Sequence, residues 1–237
     1  MVRWVVLLAA VLGPLCASGA RAQGAQASVS EIVVSAEKRE ADAGTPHVTL
    51  VKRADNLIVE VRVVCDTRDL NQRRDELKAT LRNMIRAAGQ DPRIELGLGT
   101  DIVGRFDETM LDAVIKPDTK IDTSFAVVVV KTHVTPTDSF DTATGRIKEF
   151  IDKTPKVGRT EILREEDWSL TIIGPEQYRG QIITKIADDA RATTGGFGSG
   201  YGVSVTGLQK PVDWYQSGPL DLALFIPYQL TVQPLSR

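Results

Sequence analysis

The sequence predicts an α+β fold, in which a mixed, mainly antiparallel sheet carries about three packed helices. Short apolar runs, several of them alternating with polar residues, predict strands. Three longer segments repeat apolar residues at helical spacing. These elements follow the order strands, helix, strands, helix, strand, helix, strands, which favours antiparallel pairing with the helices on one side. No long linker interrupts them, so we expect a single domain over 31–237.

The strand predictions rest on apolar runs at 31–36, 47–52, 57–65, 93–98, 124–134, 168–173, 203–208 and 220–232. In the third run, alternate residues predict one buried face, formed by Leu57, Val59, Val61 and Val63. The run at 124–134 is typical of a central strand covered on both faces. We expect a strand, a bend and another strand over 102–115. The run at 220–232 alternates strictly, but Pro219 and Pro227 favour an edge strand or a bulge.

The three helices are predicted at 70–88, 138–153 and 176–193. Thr67 or Asp69 is suited to cap the first helix, because its side-chain oxygen can accept a free backbone N–H. Gly89 is suited to end that helix, Pro155 ends the second, and Pro175 suits the start of the third.

Charge and composition exclude two classes of protein. The chain has 29 Lys and Arg residues against 31 Asp and Glu residues, a formal net charge of -2. A protein that binds nucleic acid by electrostatic attraction would have a basic excess. Hydrophobic residues make up 42% and charged residues 25%, which is typical of globular domains and unlike disordered chains.

The first residues resemble a secretory signal peptide. Arg3 precedes an apolar run at 4–12, which is shorter than the roughly 20 residues that span a bilayer. The run is followed by Ala20-Arg21-Ala22, a small-x-small cleavage signal, so we predict a signal peptide over 1–22 and a flexible lead-in over 23–30. An uncleaved N-terminal anchor is the alternative. No later segment reaches the length of a membrane span.

No set of residues predicts catalysis, a cofactor or a metal site, so we do not expect an enzyme. The two histidines, His47 and His133, lie in predicted strands and show no metal-ligand spacing. Cys65 and His133 can meet only if neighbouring strands bring them together, and a small buried residue is the better interpretation of Cys65. Asp188 and Asp189 diverge by about 100° on a helix, which is unsuitable for a catalytic pair.

A glycine-rich segment at 193–202 follows the third predicted helix. In a dinucleotide site the glycines precede a helix, whereas these follow one, so a connection or helix cap is favoured. The alternative is a recognition loop for a small molecule, with candidate residues Gly196, Phe197, Gly198, Gly200 and Tyr201.

The segment 168–192, WSLTIIGPEQYRGQIITKIADDARA, resembles the hallmark of the SIMPL-domain family. That hallmark is a strand, a loop and a helix ending in an Ala-Asp-Ala-Arg-Ala type pattern, here residues 187–192. The element order is similar over nearly the whole exported chain, although 193–196 and 101–122 depart from the family pattern. The resemblance implies an α+β fold without a recognised active site, located in the periplasm or at the outer-membrane periphery of a Gram-negative bacterium. It also implies a homo-oligomer or an envelope partner.

The segment 31–40, EIVVSAEKRE, resembles the TonB box of outer-membrane receptors and follows the predicted signal peptide, where such boxes lie. The resemblance implies that this segment adds a β-strand to TonB, through Glu31, Ile32, Val33, Val34, Ser35 and Ala36. The chain is too short for the plug and the roughly 22-strand barrel of such a receptor. The same run also fits the first strand of the domain.

Overall fold

A computed structural model describes residues 31–35, 48–99 and 103–235, the first of these ranges for its backbone alone. The helices are Leu70–Ala88 (α1), Leu111–Val114 (α2), Phe140–Lys153 (α3) and Arg179–Phe197 (α4). The strands are Glu31–Ser35 (β1), Leu50–Arg53 (β2), Asn56–Cys65 (β3), Ile94–Leu98 (β4), Gly104–Arg105 (β5), Lys116–Pro117 (β6), Ser124–His133 (β7), Thr160–Ile173 (β8), Tyr201–Thr206 (β9), Asp213–Gln216 (β10), Asp221–Phe225 (β11) and Gln229–Pro234 (β12).

The predicted α+β class is confirmed, with mainly antiparallel sheets and four helices, of which α2 is a single turn. The predicted signal peptide, the lead-in, Ala36 and His47 lie outside the described residues. None of the helices that the structure describes carries an apolar stretch long enough to cross a membrane.

The largest sheet has seven strands in the order β1-β8-β3-β7-β4-β5, and β6 also pairs with β7. β3 pairs with β7 along its whole length, from Asn56 opposite His133 to Cys65 opposite Ser124. Its other edge pairs with β8, with an irregularity between Val59 and Val61. β3 is therefore held from both sides along most of its length.

Two further sheets are also antiparallel. One has the order β10-β11-β2. The other, which we call the ribbon, consists of β9 and β12 alone. A two-stranded sheet is only marginally stable by itself, so the ribbon depends on what it packs against.

Two hydrophobic clusters lie under the sheets. In the first, Val59, Val61 and Val63 of β3 pack with apolar residues of α1, α3 and β7. In the second, Leu57 of β3 packs with residues of α4, β8 and β11. The predicted inward face of β3 is confirmed, because all four residues are at most 1% exposed. The outward face of β7 is covered only in part, since Val127 is 38% exposed.

The helix boundaries follow from local chemistry. The Asp69 side chain accepts the Gln72 N–H and caps α1, as predicted. Gly89 ends α1 but adopts a right-handed conformation. Ser139 caps α3 by accepting the Thr142 N–H at 3.1 Å.

Three strand predictions were wrong. The second strand expected in 102–115 is α2 instead, and Leu111 from it enters the first cluster. β8 begins at Thr160 rather than at 168, because residues 160–164 already pair with β3, and 165–167 lie at the irregularity before Trp168 resumes the pairing. The run at 220–232 splits between β11 and β12, which lie in different sheets.

Pro227 marks this split, because proline has no N–H for a sheet ladder. Gly207 lies against it with φ +88°, and a Cβ at that position would lie 2.6 Å from the Pro227 carbonyl oxygen. The close approach and the positive φ both require glycine there.

A polar cluster fixes the first turns of α1 against the end of the main sheet. Glu76 is 8% exposed and accepts hydrogen bonds from the Thr67 hydroxyl at 2.6 Å, the Arg159 N–H at 3.1 Å and the Cys65 thiol at 3.2 Å. The bonds from Thr67, followed by Arg159, outweigh burial and lower the pKa of Glu76 to about 2. Gly158, with φ +61°, leaves room for this carboxylate, which a Cβ there would strike.

We predict that Glu76→Gln lowers the free energy of unfolding by about 2 kcal/mol at pH 7, because hydrogen bonds to a charged acceptor are lost. The folded-state pKa lies below the ordinary value of 4.5, so the stabilisation is complete above that value. The difference between wild type and variant should therefore shrink as the pH falls from 4.5 towards 2. Chemical denaturation of both proteins at each pH measures it.

The exposed Glu161→Gln on β8 is the matched control and should change stability by no more than about 0.5 kcal/mol. A Glu76→Gln effect that is equally large at pH 7 and pH 2.5 would contradict the assigned role of the carboxylate.

Candidate protein-binding surface

The glycine-rich segment is only in part the connection or helix cap that its sequence predicts: Gly198 caps α4, but the glycines before it are helical. α4 continues through Gly195 and Gly196 to Phe197 and ends at Gly198, which has φ 88°. Each helical glycine costs about 1 kcal/mol relative to alanine. Contacts offset this cost: Ala190 is buried in the second cluster, and the Thr194 hydroxyl donates to the Ala190 carbonyl at 2.8 Å.

The candidate loop residues therefore lie in three elements. Gly196 and Phe197 belong to the last turn of α4, Gly198 and Gly200 belong to the turn that follows, and Tyr201 begins β9. The turn brings the rings of Phe197 and Tyr201 to 5.7 Å between centroids. We call these two residues the aromatic pair.

The aromatic pair stands out on the surface because it is exposed. Phe197 is 57% and Tyr201 40% exposed, and Leu235 nearby is 57% exposed. The Leu235 N–H donates to the Gly200 carbonyl at 2.8 Å, which brings this leucine to the same end of the ribbon. Gly202 makes room for it, since a Cβ there would lie 2.7 Å from Leu235 Cδ2. Three large apolar side chains thus share one end of the ribbon.

The ribbon has one apolar and one polar face. In its register, Val203 lies opposite Val232 and Val205 opposite Leu230, and all four are half-buried. The residues between them are exposed, and among these Ser204 lies opposite Thr231. Neither strand contains a charged residue. Among the described residues no third strand pairs with either outer edge.

A groove of about 590 Å³ runs between the last turns of α4 and β9. Its apolar walls include Ala187, Val203 and Val205, and Arg191 stands at its side. The charge of Arg191 is paired with Asp188 on the same helix.

A hydrogen bond ties the start of β12 to α4. The Tyr228 hydroxyl donates to Asp189 Oδ2 at 3.3 Å. Burial, followed by the charge of Asp189 and this bond, raises the pKa of Tyr228 to about 12, so the hydroxyl keeps its proton at neutral pH. Because Asp188 pairs with Arg191 and Asp189 binds Tyr228, the two carboxylates serve different contacts.

The residues of the TonB-box-like segment form an edge strand as far as they are described. Glu31, Ile32, Val33, Val34 and Ser35 make up β1, which pairs with β8 from Glu31 opposite Ile173 to Ser35 opposite Ser169. β1 is thus the outermost strand of the seven-stranded sheet. The first-strand interpretation of this run agrees with the structure, and the TonB interpretation stays a prediction.

The weaker chemical candidates do not form a site in the described part of the chain. Cys65 and His133 lie at opposite ends of β3 and β7, roughly 30 Å apart at about 3.3 Å per residue. No group of three His, Cys, Asp or Glu residues among those described is arranged to hold a metal ion.

A second cavity, of about 480 Å³, lies at the C-terminal end of α1 beside β4 and β5. Two ion pairs lie at it: Lys131 contacts Glu95 at 2.7 Å, and Asp91 binds Arg93 through two bonds of 2.9 Å, while Arg105 also lines the cavity.

Sequence reasoning found the aromatic pair but missed its partners. Leu235, Asp189 and the ribbon strand β12 were not singled out as site residues. Pro227 was the signal in the sequence that could have indicated β12. It separates β11 from a second, uncharged strand that begins two residues later.

No protein-family model, no curated protein and no solved structure matches this chain.

Proposed function

We propose that this chain is an exported cell-envelope protein that acts by self-association or protein binding rather than by catalysis, and that it binds through the aromatic pair, Leu235 and the ribbon. The observation that carries the proposal is the concentration of exposed apolar side chains next to an uncharged ribbon. Exposed apolar patches of this kind mark protein-binding sites.

The amino-acid types support the same conclusion. Aromatic residues are enriched, and charged residues depleted, at the centres of protein interfaces. Phe197 and Tyr201 supply the aromatic area, while the twelve residues of β9 and β12 supply uncharged backbone edges. Charged side chains are a common means of protecting a strand edge from pairing, and here they are absent from the strands.

Binding of a small molecule in the groove is the alternative, and one observation favours it. The volume of about 590 Å³ falls in the range of ligand sites. A ligand held there would be lost on Ala187→Leu, which fills the groove from α4, while assembly through the exposed aromatic pair would remain. Loss of assembly in a variant of the aromatic pair, with ligand binding unchanged, would favour the protein-binding proposal.

The second candidate function is binding of TonB by 31–36, and the edge position of β1 favours it. An extended segment at a sheet edge can pair with a strand of another protein. TonB would have to pair with the outer edge of β1 or draw β1 away from β8.

We predict that the double variant Phe197→Ser, Tyr201→Ser lowers the solution mass of the protein at a given concentration, because it removes the exposed aromatic area. A loss of about 1.4 kcal/mol of association free energy weakens binding tenfold, and interface aromatics commonly contribute at least that much. Light scattering over a range of concentrations measures the mass.

Leu163→Ser is the matched control, since Leu163 is 47% exposed on β8, away from the ribbon. Its mass should equal that of wild type. A wild-type monomer at every concentration, with no partner bound, would disprove self-association.

For the TonB candidate, we predict that Val33→Pro abolishes retention of the protein by immobilised TonB, because proline removes an N–H from the pairing strand. Val33→Ala keeps this N–H and should be retained. Retention of Val33→Pro at the wild-type level would rule out strand addition at this segment.

A further inference from the structure

The outer edge of β12 is an unprotected strand edge of the ribbon. β12 pairs with β9 on one side, and on the other side no described strand pairs with it. Natural proteins protect such edges with charged side chains, prolines or bulges. The segment Gln229–Gln233 has none of these: its residues are Gln229, Leu230, Thr231, Val232 and Gln233.

The order of these five residues is the same in both directions by chemical type: amide, apolar, hydroxyl, apolar, amide. If a second copy of the strand runs antiparallel and the two copies meet at Thr231, each residue faces a matching one. Gln229 then faces Gln233, Leu230 faces Val232, and Thr231 faces Thr231 of the second copy. Cross-strand apolar pairs and Thr–Thr pairs stabilise antiparallel sheets.

The faces of the ribbon support this register. Leu230 and Val232 are half-buried on the apolar face, whereas Thr231 is exposed on the polar face. Directly opposed residues point to the same side of a sheet. A slip by one residue would place Leu230 opposite Thr231 and put apolar and polar faces on the same side.

Two prolines limit longer slips. Pro227 precedes the segment and Pro234 follows it. A slip of two residues brings one of them opposite a residue of the central five, and proline has no N–H to donate to the ladder. Among these registers that keep like faces on the same side, the one centred on Thr231 keeps both prolines from lying opposite any of the five residues.

We propose that two copies of this chain associate through antiparallel pairing of β12 with β12, about a two-fold axis at Thr231, so that the two ribbons form one four-stranded sheet. This inference rests on the self-association put forward above and specifies its contact. Such an interface is isologous, meaning that the same patch is used on both copies.

Pairing into a four-stranded sheet would also stabilise the ribbon. A two-stranded sheet is only marginally stable, whereas a sheet of three or more strands with an apolar face can be stable. Tyr201 lies opposite Pro234, at one end of the ribbon. The two aromatic pairs of the dimer therefore lie at opposite ends of the joint sheet, where each can bind a further copy.

The direct test is a cysteine at the two-fold axis. Thr231→Cys places two thiols opposite each other with Cα atoms about 4.5 to 5.5 Å apart, within the range for a disulfide. The full chain is expressed in a Cys16→Ser background, so that the other thiol is Cys65, which is buried. We expect a covalent dimer under mild oxidation, reversed by reductant.

Ser204→Cys is the matched control. Ser204 is exposed on the same face of the ribbon but lies on β9, opposite Thr231. Three strand spacings of about 4.8 Å would separate its thiol from that of the second copy by roughly 14 Å. This variant should not form the covalent dimer under the same conditions.

A second pair of variants tests the interface without oxidation. Thr231→Lys places two positive charges face to face and should weaken dimer formation at least tenfold, whereas Ser204→Lys should leave it near the wild-type value. Like charges directly opposed across strands are destabilising. Circular dichroism of both variants checks that they fold.

The outcomes separate this inference from the proposed function. Assembly in wild type, with no Thr231→Cys dimer and no effect of Thr231→Lys, would overturn the β12 contact and leave self-association standing. A wild-type monomer at all concentrations, with no Thr231→Cys dimer, would overturn both.

Discussion

The pairing of β3 with both β7 and β8 is the interaction on which the rest of the described structure depends. Through this strand the first cluster under α1 and α3 is continuous with the second cluster under α4, since Val59, Val61 and Val63 face the first and Leu57 the second. The ribbon is joined to this framework through α4, the Tyr228–Asp189 bond and the half-buried residues of β9. The candidate surface is thus packed on this framework at its base, and its outer edge pairs with no described strand.

Hydrophobic periodicity predicted those helices and strands that bury a continuous apolar face. β3, β7, α1 and α3 were predicted with boundaries within two residues, because each buries a continuous apolar face. Elements with weak patterns failed. In the first half of β8 charged residues interrupt the apolar pattern, and residues 160–164 of it pair with β3. The helix at 111–114 is a single turn, fixed by the burial of Leu111 rather than by a repeating pattern.

The candidate surface was predictable only in part. Phe197 and Tyr201 were singled out, but as loop residues, because glycine is a poor helix former and local propensity favoured a loop. The structure makes Phe197 helical: Ala190, two turns earlier, is buried, and the Phe197 ring contacts Tyr201. The separation of β11 from β12 depends on the fit of Gly207 against Pro227, a contact between residues twenty positions apart that periodicity does not reveal.

The proposed contact is the pairing of the outer edge of β12 with a second copy of the chain. Amide hydrogen exchange, measured at concentrations below and above the midpoint of association, tests it most directly. The account predicts that amides of Gln229–Gln233 that face away from β9 exchange rapidly in the dilute protein and become protected in the concentrated one, while the outer edge of β9 keeps its rate. Equal, rapid exchange of the β12 amides at every concentration, in a protein whose mass rises with concentration, would contradict it.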